Sequence, residues 1–275
     1  VEALVDRVKK LVLRDLKREY PDVDYFDDTD LVESMQDIYE TEKCPFVVII
    51  DEWDCIVREF RQNKEAQEKY LDFLRDLLKD KACIHLAYMT GILPIKKYGT
   101  HSALNMFDEF SMINPGPLAP YVGFTEVEVE YLCHKYRMDM EEVKAWYDGY
   151  SFSMAASVYS PRSVVNSMLF GKIENYWNQT ETFEALQVYI DMNFDGLKDD
   201  VLSMIAGERI PVNTGSFTND MTTFRTEDDV LTLLIHLGYL AYDEGTQTAF
   251  IPNEEIRSEL AEAVEENCWN EWMEF

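Results

Sequence analysis

Hydrophobic and polar positions in residues 2–19 follow helical spacing, with Leu4, Val8, Leu11, Val12 and Leu16 on one stripe until Pro21 ends it. A second helix is expected over about 30–41, behind a DDT cap and presenting Leu31, Met35 and Ile38. The rhythm then changes to a continuous apolar run, Phe46 to Ile50. That pattern predicts a strand buried on both faces, as inside a parallel sheet. Helical spacing returns over 63–80, with Tyr70, Leu71, Leu74, Leu77 and Leu78 inward, and a second apolar run, CIHLAYMTG at 83–91, closes on Thr90 and Gly91. Strand, helix, strand at this spacing predicts a βαβ unit with a right-handed crossover.

The segment INPGPLAPY at 113–121 holds three of the nine prolines and a glycine, which marks a domain boundary. Beyond it the pattern is helical. Thr125 with Glu128 and Asp139 with Glu142 have capping-box spacing, Ser160–Pro161 reads as an N-cap and first helical residue, and Gly171 closes that helix. Further helices are expected over about 182–190 and 195–206. The last stretch pairs a helix at about 227–237 with GYLAYDEGTQTAFIPN, two alternating runs around a Glu-Gly-Thr turn, and a helix from near Asn253. Helix, hairpin, helix resembles the end of a winged-helix domain; a plain α+β subdomain packing on the rest is the alternative.

Composition narrows the classes. The chain is globular, 47% hydrophobic, and its apolar runs fall far short of the roughly 18 residues of a membrane span. Its net charge of −28 repels nucleic acid and anionic membrane, so direct nucleic-acid binding by the whole surface is not expected. Five cysteines stand singly at 44, 55, 83, 133 and 268 without metal-ligand spacing, and Cys44, Cys55 and Cys83 read as core thiols in a reduced, cytoplasmic setting. The chain starts at Val1, and the expectation is a processed or excised piece of a longer protein.

The candidate chemistry lies at the strand ends. Asp51 and Glu52 follow the buried run directly, where α/β sheets place their reacting groups. This is the form of a Walker B segment, whose Asp holds Mg²⁺ through water and whose Glu polarises the attacking water. The other reading is that the pair caps the following helix, a role Asp54 shares. Thr90 ends the second strand at the position of a sensor for water or γ-phosphate, and Lys96 and Lys97 are either phosphate ligands or solvated loop lysines. No GxxxxGK[ST] or GxGxxG occurs, so the loop that grips phosphate in such proteins is missing. The histidines at 85, 101, 134 and 236 form no HExxH or HxH; His85 and His236 read as satisfied core residues.

Seven separated segments then occur in one order: FVVIIDEWDCIVREF, LAYMTGILPIKKYGTHSALNMFDEF, YVGFTEVEVEYL, WYDGYSF, VYSPRSVV, NYWNQT, and LLIHLGYLAYD with FIPNEEI. Together they resemble a bacterial family, the AAA-ATPase-like domain often followed by a PD-(D/E)xK nuclease-like domain. The likeness runs from about Val1 to Glu265. It implies ATP binding and hydrolysis with Mg²⁺ coupled to a conformational switch. Residue by residue, it implies Asp51 as the metal residue, Glu52 as the catalytic carboxylate and Thr90 as the sensor. Pro161 and Arg162 fall where the lid approaches nucleotide. WYDGY at 146–150 is a hallmark whose aromatics serve equally as core packing.

The sequence departs from that family where its P-loop would stand. The 50 residues before Asp51 match the stretch that follows the loop. The expected fold is therefore α/β plus mostly α: a truncated P-loop NTPase-like parallel sheet at 1–118, a helical lid at 119–208 and a winged-helix-like subdomain at 209–275. The missing strand would leave an open edge beside the sensor strand. Either a partner chain or second copy fills it, or the helices at 2–19 and 30–41 close over it. No appreciable ATPase activity is expected of this chain alone, and a non-enzymatic interaction module with a vestigial Walker B is the competing class.

Overall fold

The computed structural model describes residues 2–60, 63–92, 106–177, 196–215, 217 and 226–273. The expected helix at 182–190, Lys96, Lys97 and His101 lie outside them. The chain divides into two compact units, Val1–Glu109 and Phe110–Phe275. No helix among the described residues is long and apolar enough to cross a membrane.

In the first unit, α1 (Glu2–Glu19) and α2 (Leu31–Glu42) precede β1 (Phe46–Ile50). A short α3 (Cys55–Glu59) and α4 (Lys64–Leu78) then lead to β2 (Ile84–Met89). Helix α2 starts where its Asp30 cap accepts from the amides of Val32 and Glu33, and it ends at Lys43 in the left-handed conformation. β1 and β2 pair in parallel, with Val47 opposite Leu86, Val48 opposite Ala87, Ile49 opposite Tyr88 and Ile50 opposite Met89. The βαβ unit read from the apolar runs is therefore present, as a two-stranded sheet among the described residues.

The expectation of burial on both faces is corrected. Phe46, Val48 and Ile50 of β1, with Ile84, Ala87 and Met89 of β2, pack on Leu13, Leu31, Met35, Leu77 and Leu78. The alternate residues Val47, Ile49, Leu86 and Tyr88 are exposed, Ile49 by 72%. A continuous apolar run records that both faces are compatible with burial; which face is covered depends on the elements at hand. Helices α1 and α2 lie in the covered layer, against one face of the sheet.

Two smaller readings change for the same reason. α1 buries Leu13 and half-buries Leu16, while Leu4, Val8, Leu11 and Val12 of the expected inward stripe are exposed. Cys44 and His85 are exposed rather than core residues, whereas Cys83 and Cys133 are buried.

The second unit opens with a 3-10 turn, Gly116–Tyr121. β3 (Phe124–Thr125), α5 (Glu126–Tyr136), α6 (Met140–Tyr147), β4 (Tyr150–Phe152), β5 (Ala155–Tyr159) and α7 (Pro161–Phe170) follow. The capping box of Thr125 and Glu128 starts α5, Asp139 accepts from the amide of Glu142, and Gly171 ends α7 with φ +64°. The antiparallel sheet β3-β5-β4 adds strands to a stretch whose pattern reads as helical. Its strands run two to five residues, too short for alternation to stand out in the sequence.

After α8 (Leu197–Ile205) come β6 (Ile210–Pro211), α9 (Glu227–His236), β7 (Ala241–Asp243), β8 (Thr248–Phe250) and α10 (Glu254–Met273). The second antiparallel sheet has the order β6-β8-β7. Leu231, Leu233, Leu234, Ile235, Tyr239 and Leu240 pack with Ile256 and Leu260 of α10 in one core. WYDGY serves as packing: Tyr147 and Tyr150 are buried, their hydroxyls donating to the carbonyls of Glu174 and Gly238. Gly149 is required there, since at φ +115° a Cβ would meet the Pro252 carbonyl oxygen at 2.0 Å.

Candidate functional site

The parallel pairing brings the carboxyl ends of β1 and β2 together. The ladder continues one step beyond Met89, where the Thr90 amide donates to the Ile50 carbonyl at 2.9 Å. The chain then turns sharply after β1. The Trp53 amide donates to the Thr90 carbonyl at 2.9 Å, and the Cys55 amide to the Glu52 carbonyl at 3.0 Å. This places Asp51 and Glu52 at the tip of the turn, both exposed, with Thr90 beside them on the neighbouring strand.

The Thr90 hydroxyl joins the three residues. It donates to Oδ1 of Asp51 and accepts from the Glu52 amide at 3.2 Å. Its one hydrogen is thereby committed, leaving a single lone pair for anything else. Glu52 itself sits at φ +51°, in the left-handed region that a non-glycine residue enters at a cost of about 1–3 kcal/mol. The bond from its amide to Thr90 and the close packing of the next two residues hold it there.

Those two residues form the floor. Trp53 is 2% exposed and Asp54 fully buried. Asp54 occupies the N-cap position of α3, yet its side chain makes no cap hydrogen bond. Its Oδ2 instead accepts from the Ile92 amide at 3.1 Å, so the capping role expected of it is replaced by a tie to the segment leaving β2. Gly91 lies against both, and a Cβ there would stand 2.6 Å from Trp53 Nε1 and 2.8 Å from Asp54 Oδ1. Beneath the turn, burial and the nearby Cys55 and Asp54 push the Tyr70 phenol up to about 12. The sequence singles out Asp51, Glu52 and Thr90 and marks Gly91 only as the end of the second run; the contact of Gly91 with Trp53 and Asp54 has no local signal.

Pro161 and Arg162 belong to the second unit, where they open α7 with exposed side chains. Asp51, Glu52 and Thr90 belong to the first unit.

The donor set bears on which cation fits. Among the described residues no group of three or more His, Cys, Asp or Glu is arranged to hold a metal ion. Two exposed carboxylates and a hydroxyl suit Mg²⁺, which keeps most of its water and takes one or two carboxylates plus substrate phosphates. They do not suit a zinc-like tetrahedral site.

Residues 2–100 match the AAA-ATPase-like family model, described as "Predicted AAA-ATPase". An uncharacterized protein in the vnfD 5' region of Azotobacter chroococcum mcd 1 is 31% identical over 144 residues, which is 50% of this chain and 27% of that protein. The chain thus covers little more than a quarter of that relative. No solved structure gives a significant match.

Proposed function

With residues 2–100 matching the AAA-ATPase-like model as the premise, we propose that the first unit is the hydrolytic side of an ATP site. The observation that carries this is the convergence of Asp51, Glu52 and Thr90 at adjacent parallel strand ends, linked through the Thr90 hydroxyl. Asp51 would hold Mg²⁺ through water, and the ion would neutralise phosphate charge. Glu52 orients and polarises a water on the exposed side of the turn, and Thr90 fixes the rotamer of Asp51. Pro161 and Arg162 are kept as residues of the lid toward nucleotide.

The phosphate grip is supplied by neither unit, because the 275 residues contain no GxxxxGK[ST]. ATP binding and hydrolysis, coupled to a conformational switch, therefore belong to the assembly in which that loop is present, and this chain alone has no appreciable turnover. We assign residues 1–118 to the truncated P-loop NTPase-like core, 119–208 to the lid and 209–275 to a winged-helix-like tail. The helix α9, the hairpin β7–β8 and the helix α10 support that last assignment. The edge of β2 is the place for a further strand, from a partner chain or a second copy. The single, scattered cysteines at 44, 55, 83, 133 and 268 support a reduced, cytoplasmic setting.

A second reading is a non-enzymatic interaction module with a vestigial acidic pair. The exposed row Val47, Ile49, Leu86 and Tyr88 favours it, since such a row offers a partner an apolar surface. Calorimetry with Mg-ATP separates the two. Heat that Asp51→Asn abolishes supports the nucleotide reading; heat of dilution alone supports the module. Turnover by the 275-residue chain, lost in Asp51→Asn, would overturn the assignment of the chain as inactive by itself.

A further inference from the structure

Helix α10 carries two carboxylates into the interior of the second unit. Glu255 and Glu259, one helical turn apart, are both fully buried. Glu255 is saturated: Oε2 accepts from the Ser163 hydroxyl at 2.7 Å and Oε1 from the Tyr176 amide at 2.8 Å, with the Trp177 amide also directed to it. Glu259 is not. One of its oxygens accepts from Nδ2 of Asn175 at 2.5 Å, while Oε1 is buried and no donor among the described residues reaches it.

A buried carboxylate needs a cation, several donors or a proton. Among the described residues no recorded ion pair reaches either carboxylate. Tyr147 from α6, Tyr150 from β4 and Tyr176 from the preceding segment are phenols that lie close enough to feel the charge of Glu255. Glu174 lies in the same segment, as the Tyr147 and Tyr176 phenols register, and Glu262 adds a like charge on α10. Lys144 of α6 is engaged with Glu126, and Arg257 of α10 with Glu254 and the Ile205 carbonyl of α8. A metal fits poorly, since both oxygens of Glu255 are already filled.

We propose that Glu255 and Glu259 form a proton-linked clasp: Glu255 is the ionised member that its donors support, and Glu259 is held as a neutral acid. Ionising Glu259 loosens α10 from the segment Glu174–Trp177. The clasp joins the start of α7, through Ser163, and that segment, through Asn175 and Tyr176, to the first turns of α10. Burial raises both carboxyls; at Glu255 the Tyr176 and Trp177 amides and the Ser163 hydroxyl oppose it, whereas Glu259 has only Asn175 to counter it. A carboxyl raised in the folded state stabilises it while protonated. That contribution is full below the unfolded value of about 4.3 and is lost as pH rises through the folded value.

Thermal unfolding of the full chain between about pH 5 and pH 8 tests this, with wild type beside Glu259→Gln. The wild-type Tm is expected to fall as pH rises. Glutamine, which imitates the neutral acid, flattens that fall and raises Tm at the alkaline end by about 2–4 °C. An unchanged slope, or a Tm lowered at every pH, overturns the proposal. Should Glu259→Gln fail to fold, amide exchange of wild type decides. Protection at Asn175–Trp177, corrected for intrinsic rate, is expected to drop about tenfold from pH 6 to pH 8, where each tenfold equals about 1.4 kcal/mol of opening. Unchanged protection overturns the clasp.

Discussion

Gly91→Ala tests whether the floor of the strand-end cluster is as closely fitted as its geometry states. Gly91 is outside the left-handed region, so alanine meets no backbone strain and the whole effect is contact. The new Cβ would lie 2.6 Å from Trp53 Nε1, 2.7 Å from Trp53 Cδ1 and 2.8 Å from Asp54 Oδ1. Carbon contacts settle at about 3.5–4.0 Å, so relief requires a movement of about 1 Å. Trp53 is 2% exposed and Asp54 0%, which leaves neither a solvent side to move toward. Overpacking of this kind costs about 1–3 kcal/mol. Displacing Asp54 also weakens its bond from the Ile92 amide, a further ~0.5–1.5 kcal/mol. With a slope of about 1–3 kcal/mol/M in urea, the midpoint of the first unit should fall by about 1 M. Circular dichroism against urea reads it, with the wild-type chain as the reference. A midpoint within ~0.2 M of wild type, which is under about 0.5 kcal/mol, would refute the close fit and with it the view that Trp53 and Asp54 anchor the turn.

Other perturbations follow from single contacts. Tyr150→Phe deprives the buried Gly238 carbonyl of its donor and should lower stability of the second unit by about 1–3 kcal/mol in urea unfolding; a loss below ~0.5 kcal/mol contradicts that bond. Asp30→Ala removes the acceptor for the amides of Val32 and Glu33 and should cost about 0.5–2 kcal/mol, with Asp30→Asn largely restoring it. Glu128 is held below the usual carboxylate range by the Thr125 amide and hydroxyl. Its cap therefore stabilises above the unfolded value and is lost as pH falls through the folded one, so Glu128→Gln should blunt the acid limb of a pH–stability curve. Leu234→Ala, in the core of the second unit, should cost about 2–5 kcal/mol by calorimetry.

Much of the fold was legible because its signals are local. Helical spacing located α1, α2 and α4, and the Ser160–Pro161 start with the Gly171 stop bounded α7 to the residue. The two apolar runs gave β1 and β2, and their parallel pairing follows from the intervening helix. The sheet β3-β5-β4 was not legible, because each strand is shorter than the window in which alternation can be counted. Within the site, Asp51, Glu52 and Thr90 were readable from their positions at strand ends. The left-handed backbone of Glu52 and the fit of Gly91 on Trp53 were not, since both arise between segments nearly forty residues apart.

What the sequence by itself determined is the strand–helix–strand order of the first unit, the acidic pair at the end of its first strand and the absence of a phosphate-gripping motif within these 275 residues. Each depends on chemistry that neighbours in the chain settle among themselves. Only the tertiary structure decided which face of β1 is covered, that α1 leaves Leu4, Val8, Leu11 and Val12 outward, and that Glu255 and Glu259 are carried inside. Apolar patterning states which residues tolerate burial and acidic ones state which resist it. The outcome rests on what packs against them, and that is a property of residues distant in the chain.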